Sequence, residues 1–290
     1  MRRMMNAAVL AGVALLCVPA VAQAQQTKTF RAGPVKYLVS KWDLNASASQ
    51  AVSTLCEGNE RVSAGGFWAG GPIGRVAVAS SYPLDLVDPD TDHDDGWHSL
   101  LYNSGSGTVK ARYAAVCLRA GFKPQALAYD SSSHNVPASP VGVLYEPLCS
   151  GGRVVGGGVQ LGGANDVKRL SASGPFSAQG SQQRPDDGWR MRASTTGPVT
   201  NVAHSICLQT NALAFRYPRK EVVLHGGQAR KIVVRCPKKK GWRVVGGGAG
   251  ECSWTSRARS PGTARTRARS PTTAGWCAPA LRTWRPSPWS

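Results

Sequence analysis

The sequence lacks the features of several protein classes. Beyond residue 24, no segment approaches the roughly 20 apolar residues that a membrane-spanning helix needs. No two of the eight cysteines have the C-x-x-C spacing that is typical of zinc sites. The chain also contains no G-x-S-x-G and no H-E-x-x-H motif. A membrane span, a zinc ribbon and two large groups of hydrolases are therefore not indicated, and nothing in the sequence calls for a cofactor.

The remaining composition indicates a folded, all-β protein. Hydrophobic residues make up 42% of the 290 positions, which is too many for a disordered polymer. Apolar residues alternate with polar ones between clusters of Gly, Asn, Ser and Pro, and no convincing helical period occurs. This alternation predicts short antiparallel strands. The best examples are the set Val109, Ala111, Tyr113, Ala115 and Cys117, and the sets Trp97, Ser99, Leu101 and Trp189, Met191, Ala193.

The first 24 residues are interpreted as a secretory signal peptide. Arg2 and Arg3 precede a short apolar run from Ala7 to Val18, and Ala22-Gln23-Ala24 carries small residues where signal peptidase cleaves. We expect the mature protein to begin after Ala24 and to be secreted or periplasmic, where cysteines are oxidised.

A unit of similar spacing occurs twice and begins a third time. Cys56 is followed by Asp94-Asp95-Gly96-Trp97 after 38 residues, and Cys149 by Asp186-Asp187-Gly188-Trp189 after 37. The closing cysteines, Cys117 and Cys207, come 23 and 21 residues later. A third unit starts at Cys236 and repeats the segment Arg-Val-Val-Gly-Gly-Gly. Such spacing indicates tandem disulfide-linked modules, sandwich-like or prism-like, with a truncated third module.

These features divide the chain into eight segments. They are the signal peptide (1–24), a lead-in strand (25–55), the first repeat (56–118), a linker with a lead-in strand (119–148), the second repeat (149–208), a second linker with a lead-in strand (209–235), the start of the third repeat (236–250) and a basic tail (251–290).

Disulfides are the preferred interpretation of the paired cysteines. We predict the bridges Cys56–Cys117 and Cys149–Cys207, because each closes one repeat and the cysteines lie too far apart for a typical zinc site. Closing a loop of this length contributes roughly 4 kcal/mol, which is large for so small a unit. Seven cysteines remain after the signal peptide, an odd number for a secreted protein. We expect Cys236 to have lost its partner, and Cys252 and Cys277 to be accidental cysteines of the altered tail.

The glycine runs and the Asp-Asp-Gly-Trp motifs have structural explanations. Glycines inside strands indicate bulges or close backbone approach rather than a phosphate loop. Each Asp-Asp-Gly forms a turn, and Trp97 or Trp189 opens the next strand into the core. In the first repeat this turn is preceded by further aspartates, which suggests calcium as one hypothesis and a solvated acidic loop as the other. The calcium candidates are Asp88, Asp90, Asp92 and Asp94.

The tail differs in composition from the rest of the chain. Residues 251–290 contain seven Arg and four Trp but no Val, Ile, Phe, Tyr or Asn. Residues 216–290 carry a net charge of +15, whereas residues 25–215 carry +2. The codons that can encode Pro271-Thr272-Thr273-Ala274-Gly275 include a set that reads Asp-Asp-Gly-Trp in a shifted reading frame. This motif would stand about 36 residues after Cys236, close to the interval in the other two repeats. We therefore hypothesise a frameshift near Gly250 and a disordered tail. The coding sequence decides between this hypothesis and a true basic arm.

The pattern Cys…Gly-Gly-Gly…Ser-x-Pro…Asp-Gly-Trp…Cys resembles a repeat of exported proteins of high-GC bacteria, most of which have no assigned function. Here the pattern runs from Cys149 through Gly156–Gly158 and Ser173-Gly174-Pro175 to Cys207. The first repeat has Gly65-Gly66 and Ser81-Tyr82-Pro83 in the same order. This resemblance covers residues 50 to 250 and implies no catalytic residues. Three such units would be compatible with a threefold β-prism.

The sequence features are compatible with three functions. The preferred one is a non-enzymatic exported protein that binds glycan, cell wall or another extracellular protein through aromatic residues such as Trp68, Tyr82 and Tyr145. The second is a hydrolase of polysaccharide or peptide, in which a site would assemble from the scattered histidines His93, His98, His134, His204 and His225. The third is a nucleic-acid or polyanion binder that uses Arg216–Lys220 and Lys238–Lys240. Nucleic-acid binding is the least favoured function, because most of the net positive charge lies in residues 216–290, which include the suspect tail.

Overall fold

The computed structural model describes residues 26–70, 75–86, 92, 94–119, 126–162, 169–178, 187–209, 216–220, 233–237, 242–251 and 271–279. Every named element is a β-strand, and all the strand pairs are antiparallel. The predicted all-β class is therefore confirmed. The predicted signal peptide, residues 1–24, lies outside the described residues.

The strands fall into three successive groups. The first group is β1 (Gln26–Ala32), β2 (Val35–Leu44), β3 (Ala48–Leu55), β4 (Arg61–Ala69), β5 (Val76–Leu84), β6 (Gly96–Asn103) and β7 (Val109–Leu118). The second group is β8 (Leu127–Val136), β9 (Ser139–Tyr145), β10 (Arg153–Leu161), β11 (Arg169–Phe176), β12 (Gly188–Thr195) and β13 (Val199–Leu208). The third group is β14 (Arg219–Lys220), β15 (Trp242–Glu251) and β16 (Pro271–Pro279).

The strands form three sheets, of which the second and third share one six-stranded plan and the first contains one half of it. Their orders are β1-β2-β7-β4, β3-β6-β5-β10-β13-β8 and β14-β16-β15-β11-β12-β9. The half-sheets β2-β7-β4, β8-β13-β10 and β14-β16-β15 are equivalent, one from each group. The predicted lead-in segments 25–55 and 119–148 each supply two strands of this plan, so the structural repeat extends further towards the N-terminus than the cysteine spacing indicated.

The repeats are not independent modules. The second sheet joins β3, β6 and β5 of the first group to β10, β13 and β8 of the second. The third sheet joins the second and third groups in the same way. Backbone hydrogen bonds between β5 and β10, and between β11 and β15, therefore link each repeat to the next.

A ring of tyrosines also connects the three groups. Tyr37 lies on β2 and Tyr129 lies on β8, whereas Tyr217 lies just before β14. Each tyrosine hydroxyl donates to the carbonyl of the residue that precedes a bulge in another group. The three bonds are Tyr37 to Val244 (2.7 Å), Tyr129 to Val62 (2.6 Å) and Tyr217 to Val154 (3.3 Å). Group 1 thus contacts group 3, group 3 contacts group 2, and group 2 contacts group 1. Because these contacts run cyclically through the three groups, they indicate threefold pseudosymmetry, as in the prism-like alternative to a sandwich.

The residues that the alternation predicted to face inward are buried in the structure. All five residues of the Val109–Cys117 set are buried, and so are the two sets that begin at Trp97 and Trp189. Side chains of successive strand residues point to opposite faces, so this pattern places one face of each strand against the interior.

The structure corrects the prediction of a wholly disordered tail. Pro271–Pro279 forms β16, which pairs with β15 along its whole length. A strand ladder uses backbone groups, so β15 orders this segment even though it contains no Val, Ile or Leu. The ladder also reproduces the bulge of the other groups: the register shifts between Val244 and Gly246, as it does between Val154 and Gly156.

Both predicted disulfides are present. Cys56–Cys117 and Cys149–Cys207 have Cα–Cα distances of 5.8 and 5.7 Å. Cys236 is also disulfide-bonded, so the expectation that it has no partner is wrong. The sequence count failed here because it treated all cysteines of the tail as accidental.

We expect peptide mapping to identify Cys277 as the partner of Cys236. Cys277 lies opposite Val244 in the β15–β16 ladder, just as Cys117 lies opposite Val62 and Cys207 opposite Val154. Digestion of the non-reduced protein and mass spectrometry should recover one cross-linked peptide that contains both residues. A Cys236–Cys252 peptide would contradict this assignment and imply that β16 does not complete the third group.

Candidate functional site

Each Asp-Asp-Gly-Trp motif places a tryptophan over a glycine of the same group. A Cβ atom on Gly65 would lie 2.0 Å from Trp97 Cγ, and one on Gly157 would lie 2.4 Å from Trp189 Cγ. The glycines therefore make room for an indole ring that lies against the backbone, as the close-approach interpretation predicted.

The serine of each Ser-x-Pro segment holds the indole in place. Trp97 Nε1 donates to Ser81 Oγ and Trp189 Nε1 donates to Ser173 Oγ, both at 2.9 Å. Buried indole N–H groups need such an acceptor. Glycine, serine and tryptophan thus form one structural unit in each of the two groups, although the sequence separates them widely.

The aspartates of the motif stabilise the adjoining loops. Asp95 accepts a hydrogen bond from the Leu86 amide (2.5 Å), and Asp187 accepts one from the Ala178 amide (2.7 Å). Asp94 is buried and forms an ion pair with Arg61 at 2.7 Å. These contacts support the predicted turn role of Asp94, Asp95 and Asp187, whereas Asp186 lies outside the described residues.

The calcium candidates are only partly described. Asp92 and Asp94 both contact the Arg61 guanidinium, at 3.2 and 2.7 Å, so a protein cation already faces them. Asp88 and Asp90 lie outside the described residues. Within the described ranges there is no group of three or more His, Cys, Asp or Glu that could hold a metal ion. The calcium hypothesis therefore stays a prediction without support from these two carboxylates.

A cavity of about 350 Å³ lies where the glycine strands of the three groups meet. Its lining includes Gly65, Gly157 and Gly247, one from each group, together with Trp97 and Trp189. Phe67 on β4 also lines it. The cavity thus combines aromatic faces with exposed backbone, which is typical of small binding sites.

Beside this cavity, β4 carries the most prominent exposed aromatic pair. Phe67 is 37% exposed and Trp68 is 52% exposed. The guanidinium of Arg112, on β7, lies 5.3 Å from the centre of the Trp68 ring, which is within cation–π distance. Lys41 and Trp68 both lie opposite Arg112 in their ladders, so one row across the sheet holds two cations and an indole. We call Trp68, Arg112 and Lys41 the β4 surface, whereas Phe67 points to the opposite face, towards the cavity.

The three aromatic candidates from the sequence have different environments. Trp68 belongs to the β4 surface. Tyr82 is only partly exposed, and its ring stacks on His204 (5.8 Å between ring centroids) and contacts the tilted ring of His98 (5.0 Å). Burial raises the pKa of its hydroxyl. Tyr145 is buried, accepts a 2.6 Å hydrogen bond from Asn201 and is therefore a core residue. Only Trp68 is available to a large ligand.

The three histidines that the structure describes, His98, His134 and His204, do not form the arrangement of a serine hydrolase. His98 and His204, from different repeats, meet on either side of Tyr82. Ser53 contacts His98 at Nδ1 (3.0 Å), the nitrogen that the carboxylate occupies in an acid–base–nucleophile relay. Burial also lowers the pKa of His98, which favours the neutral ring. His134 contacts Ser132 and Tyr145, and His93 and His225 lie outside the described residues.

Two further cationic side chains have defined partners in the structure. The fully buried Lys36 contacts Glu57 (2.7 Å) and Glu60 (2.9 Å), and its hydrogen bond lowers the pKa of Glu57. Arg216 lies over Trp242 at 5.8 Å. Lys238–Lys240, the other part of the predicted polyanion surface, lies outside the described residues.

No known family model and no curated protein matches this sequence. The resemblance to exported bacterial repeats therefore stays a prediction. Among the described residues, no helix is long and apolar enough to cross a membrane.

Sequence reasoning missed the β4 surface as a site because it did not show which strands lie at sheet edges. The signal was nevertheless present. Phe67-Trp68 stands where the second and third groups have Val159-Gln160 and Ala249-Gly250, so the first group alone places two aromatics there.

Proposed function

We propose that this is an exported, non-enzymatic β-repeat protein that binds an extracellular ligand through the β4 surface. Two disulfides support an oxidising compartment. The observation that carries the binding role is Trp68, an indole that is 52% exposed at the edge of a sheet and next to Arg112. Its neighbour on β4, Phe67, lines the cavity on the other face of the sheet. Exposed aromatics of this kind are enriched at binding sites because they bury a large apolar area on contact.

The ligand classes that fit are glycan, cell wall polymer and protein. An indole face stacks on sugar rings or on side chains, and the two cations favour a ligand that carries some negative charge. Hydrolysis of polysaccharide or peptide, and polyanion binding through the basic C-terminal region, stay predictions that no arrangement among the described residues favours.

We expect Trp68→Ala to reduce ligand binding at least about tenfold, since a central exposed tryptophan typically contributes 2 kcal/mol or more. The mature chain would be tested on a glycan array, with purified cell wall and with extracellular proteins. Phe30→Ala is the matched control, because Phe30 is 55% exposed on β1, at the opposite edge of the same sheet. Equal loss in both variants, or no ligand in any assay, would refute a binding role for this surface.

A further inference from the structure

The second edge of β4 differs from the corresponding edges of β10 and β15. On one side, all three strands pair with the last strand of their group in the same bulged register. On the other side, β10 pairs with β5 through Val159 and Ser81, and β15 pairs with β11 through Ala249 and Ser173. No described strand pairs with this side of β4, which ends its sheet.

The strands that fill the two equivalent edges have the same chemistry. Both contain a Ser-x-Pro segment, Ser81-Tyr82-Pro83 in β5 and Ser173-Gly174-Pro175 in β11. In each case the serine is the residue opposite the glycine strand. The chain contains only these two Ser-x-Pro segments, and residues 252–270, between β15 and β16, have none.

Gly66 retains the feature that a neighbouring strand requires. In β10, a Cβ on Gly158 would lie 2.0 Å from the Ser81 carbonyl oxygen, so only glycine permits that strand to approach. In β15, a Cβ on Gly248 would lie 2.2 Å from the Ser173 carbonyl oxygen. Gly66 occupies the equivalent position of β4, yet a Cβ there would meet nothing within 4 Å. The packing of the described residues does not require glycine at position 66. The absence of a side chain there does, however, leave room for a strand to approach this edge.

We propose that the second edge of β4 is a strand acceptor, which binds an extended Ser-x-Pro segment of another polypeptide. Addition of a strand to an exposed edge is an established mode of peptide recognition, because the backbone hydrogen bonds provide affinity and the side-chain pockets provide selectivity. The cavity beside Gly65 and Phe67 would receive the inward-facing side chains of that strand, and Trp68 would cover its outer face. This inference rests on the proposed binding role of the β4 surface and names its ligand class.

The probe is a labelled synthetic peptide with the sequence of residues 169–176, which contains Ser173-Gly174-Pro175. We expect saturable binding to the oxidised full chain below about 1 mM, measured by fluorescence anisotropy. The variant Gly66→Val should weaken this binding at least about tenfold, because its side chain occupies the space that the added strand needs. Its thermal midpoint should remain that of the wild type, since the open space at Gly66 accepts the side chain.

Two controls make the result specific. A peptide N-methylated at Ser173 cannot form the strand hydrogen bonds and should not bind. Gly151→Val adds a side chain at another glycine with open space, away from β4, and should bind normally. The proposal would be overturned by equal binding to wild type and Gly66→Val, by binding of the N-methylated peptide, by no binding up to about 1 mM, or by dimers that pair two copies of β4. If one of these outcomes occurs but Trp68→Ala abolishes glycan or cell wall binding, only the strand-acceptor inference fails and the proposed function stands.

Discussion

Gly65→Ala is expected to destabilise the protein by about 3 kcal/mol, whereas Gly66→Ala should change its stability by less than about 0.5 kcal/mol. The two glycines are neighbours on β4, but a Cβ on Gly65 would lie 2.0 Å from Trp97 Cγ and one on Gly66 meets nothing within 4 Å. The indole cannot move easily, because Trp97 is buried and its Nε1 is held by Ser81. Denaturant unfolding of both variants measures the difference.

Comparison of Gly65→Ala with Gly66→Ala also separates the packing contribution to stability from the contribution of strand propensity. Both substitutions replace glycine by alanine in the same strand, so their effects on backbone entropy are similar. In the double variant Gly65→Ala/Trp97→Leu, the smaller side chain at position 97 leaves room for the new Cβ. The double variant should therefore lose less stability than the sum of the losses in the two single variants. Equal destabilisation by Gly65→Ala and Gly66→Ala would show that Trp97 does not lie against Gly65.

Removal of the Cys149–Cys207 bridge is expected to cost about 4 kcal/mol, since the bridge closes a loop of 58 residues. Both cysteines would be replaced by alanine, which avoids a free thiol and a polar hydroxyl at the buried position 207. The reason is largely entropic: without the bridge, the unfolded chain gains conformations that the folded chain does not. Thermal and denaturant unfolding of the oxidised double variant and wild type measure the loss.

The first bridge provides the comparison. Cys56→Ala/Cys117→Ala opens a loop of 61 residues and should cost a similar amount. Because the second sheet joins strands of both repeats, we expect either variant to unfold in one transition rather than repeat by repeat. Two separate transitions, or a loss below about 1 kcal/mol for either bridge, would contradict the interlinked fold.

The third group bears on the frameshift hypothesis. Described counterparts of β4 and β7 exist there as β15 and β16, but none exists for β5 or β6. The segment that would contain them holds only 19 residues, 252–270, whereas residues 162–198 separate β10 from β13. A shifted frame would restore the Asp-Asp-Gly-Trp motif to this group, and its strands would then be expected to cover β4 within the same chain. The coding sequence remains the measurement that tests this.

The sequence by itself determined the fold class, the two disulfides and the inward faces of the strands. Each of these depends on local spacing: alternation every second residue fixes a buried face, and matched cysteine intervals identify the bridged pairs. The turn role of Asp95 and Asp187 was also predictable, because Asp and Gly have strong local preferences in turns.

Only the tertiary structure decided how the repeats combine and where a ligand can bind. Pairing of β5 with β10 joins residues of different repeats, and no periodicity within a strand specifies its neighbour across a sheet. For the same reason, Trp68 at an edge and Tyr145 in the core could not be distinguished beforehand, although both were plausible contacts. Burial and edge position are properties of the assembled sheets, since long-range backbone pairing determines which strands remain uncovered.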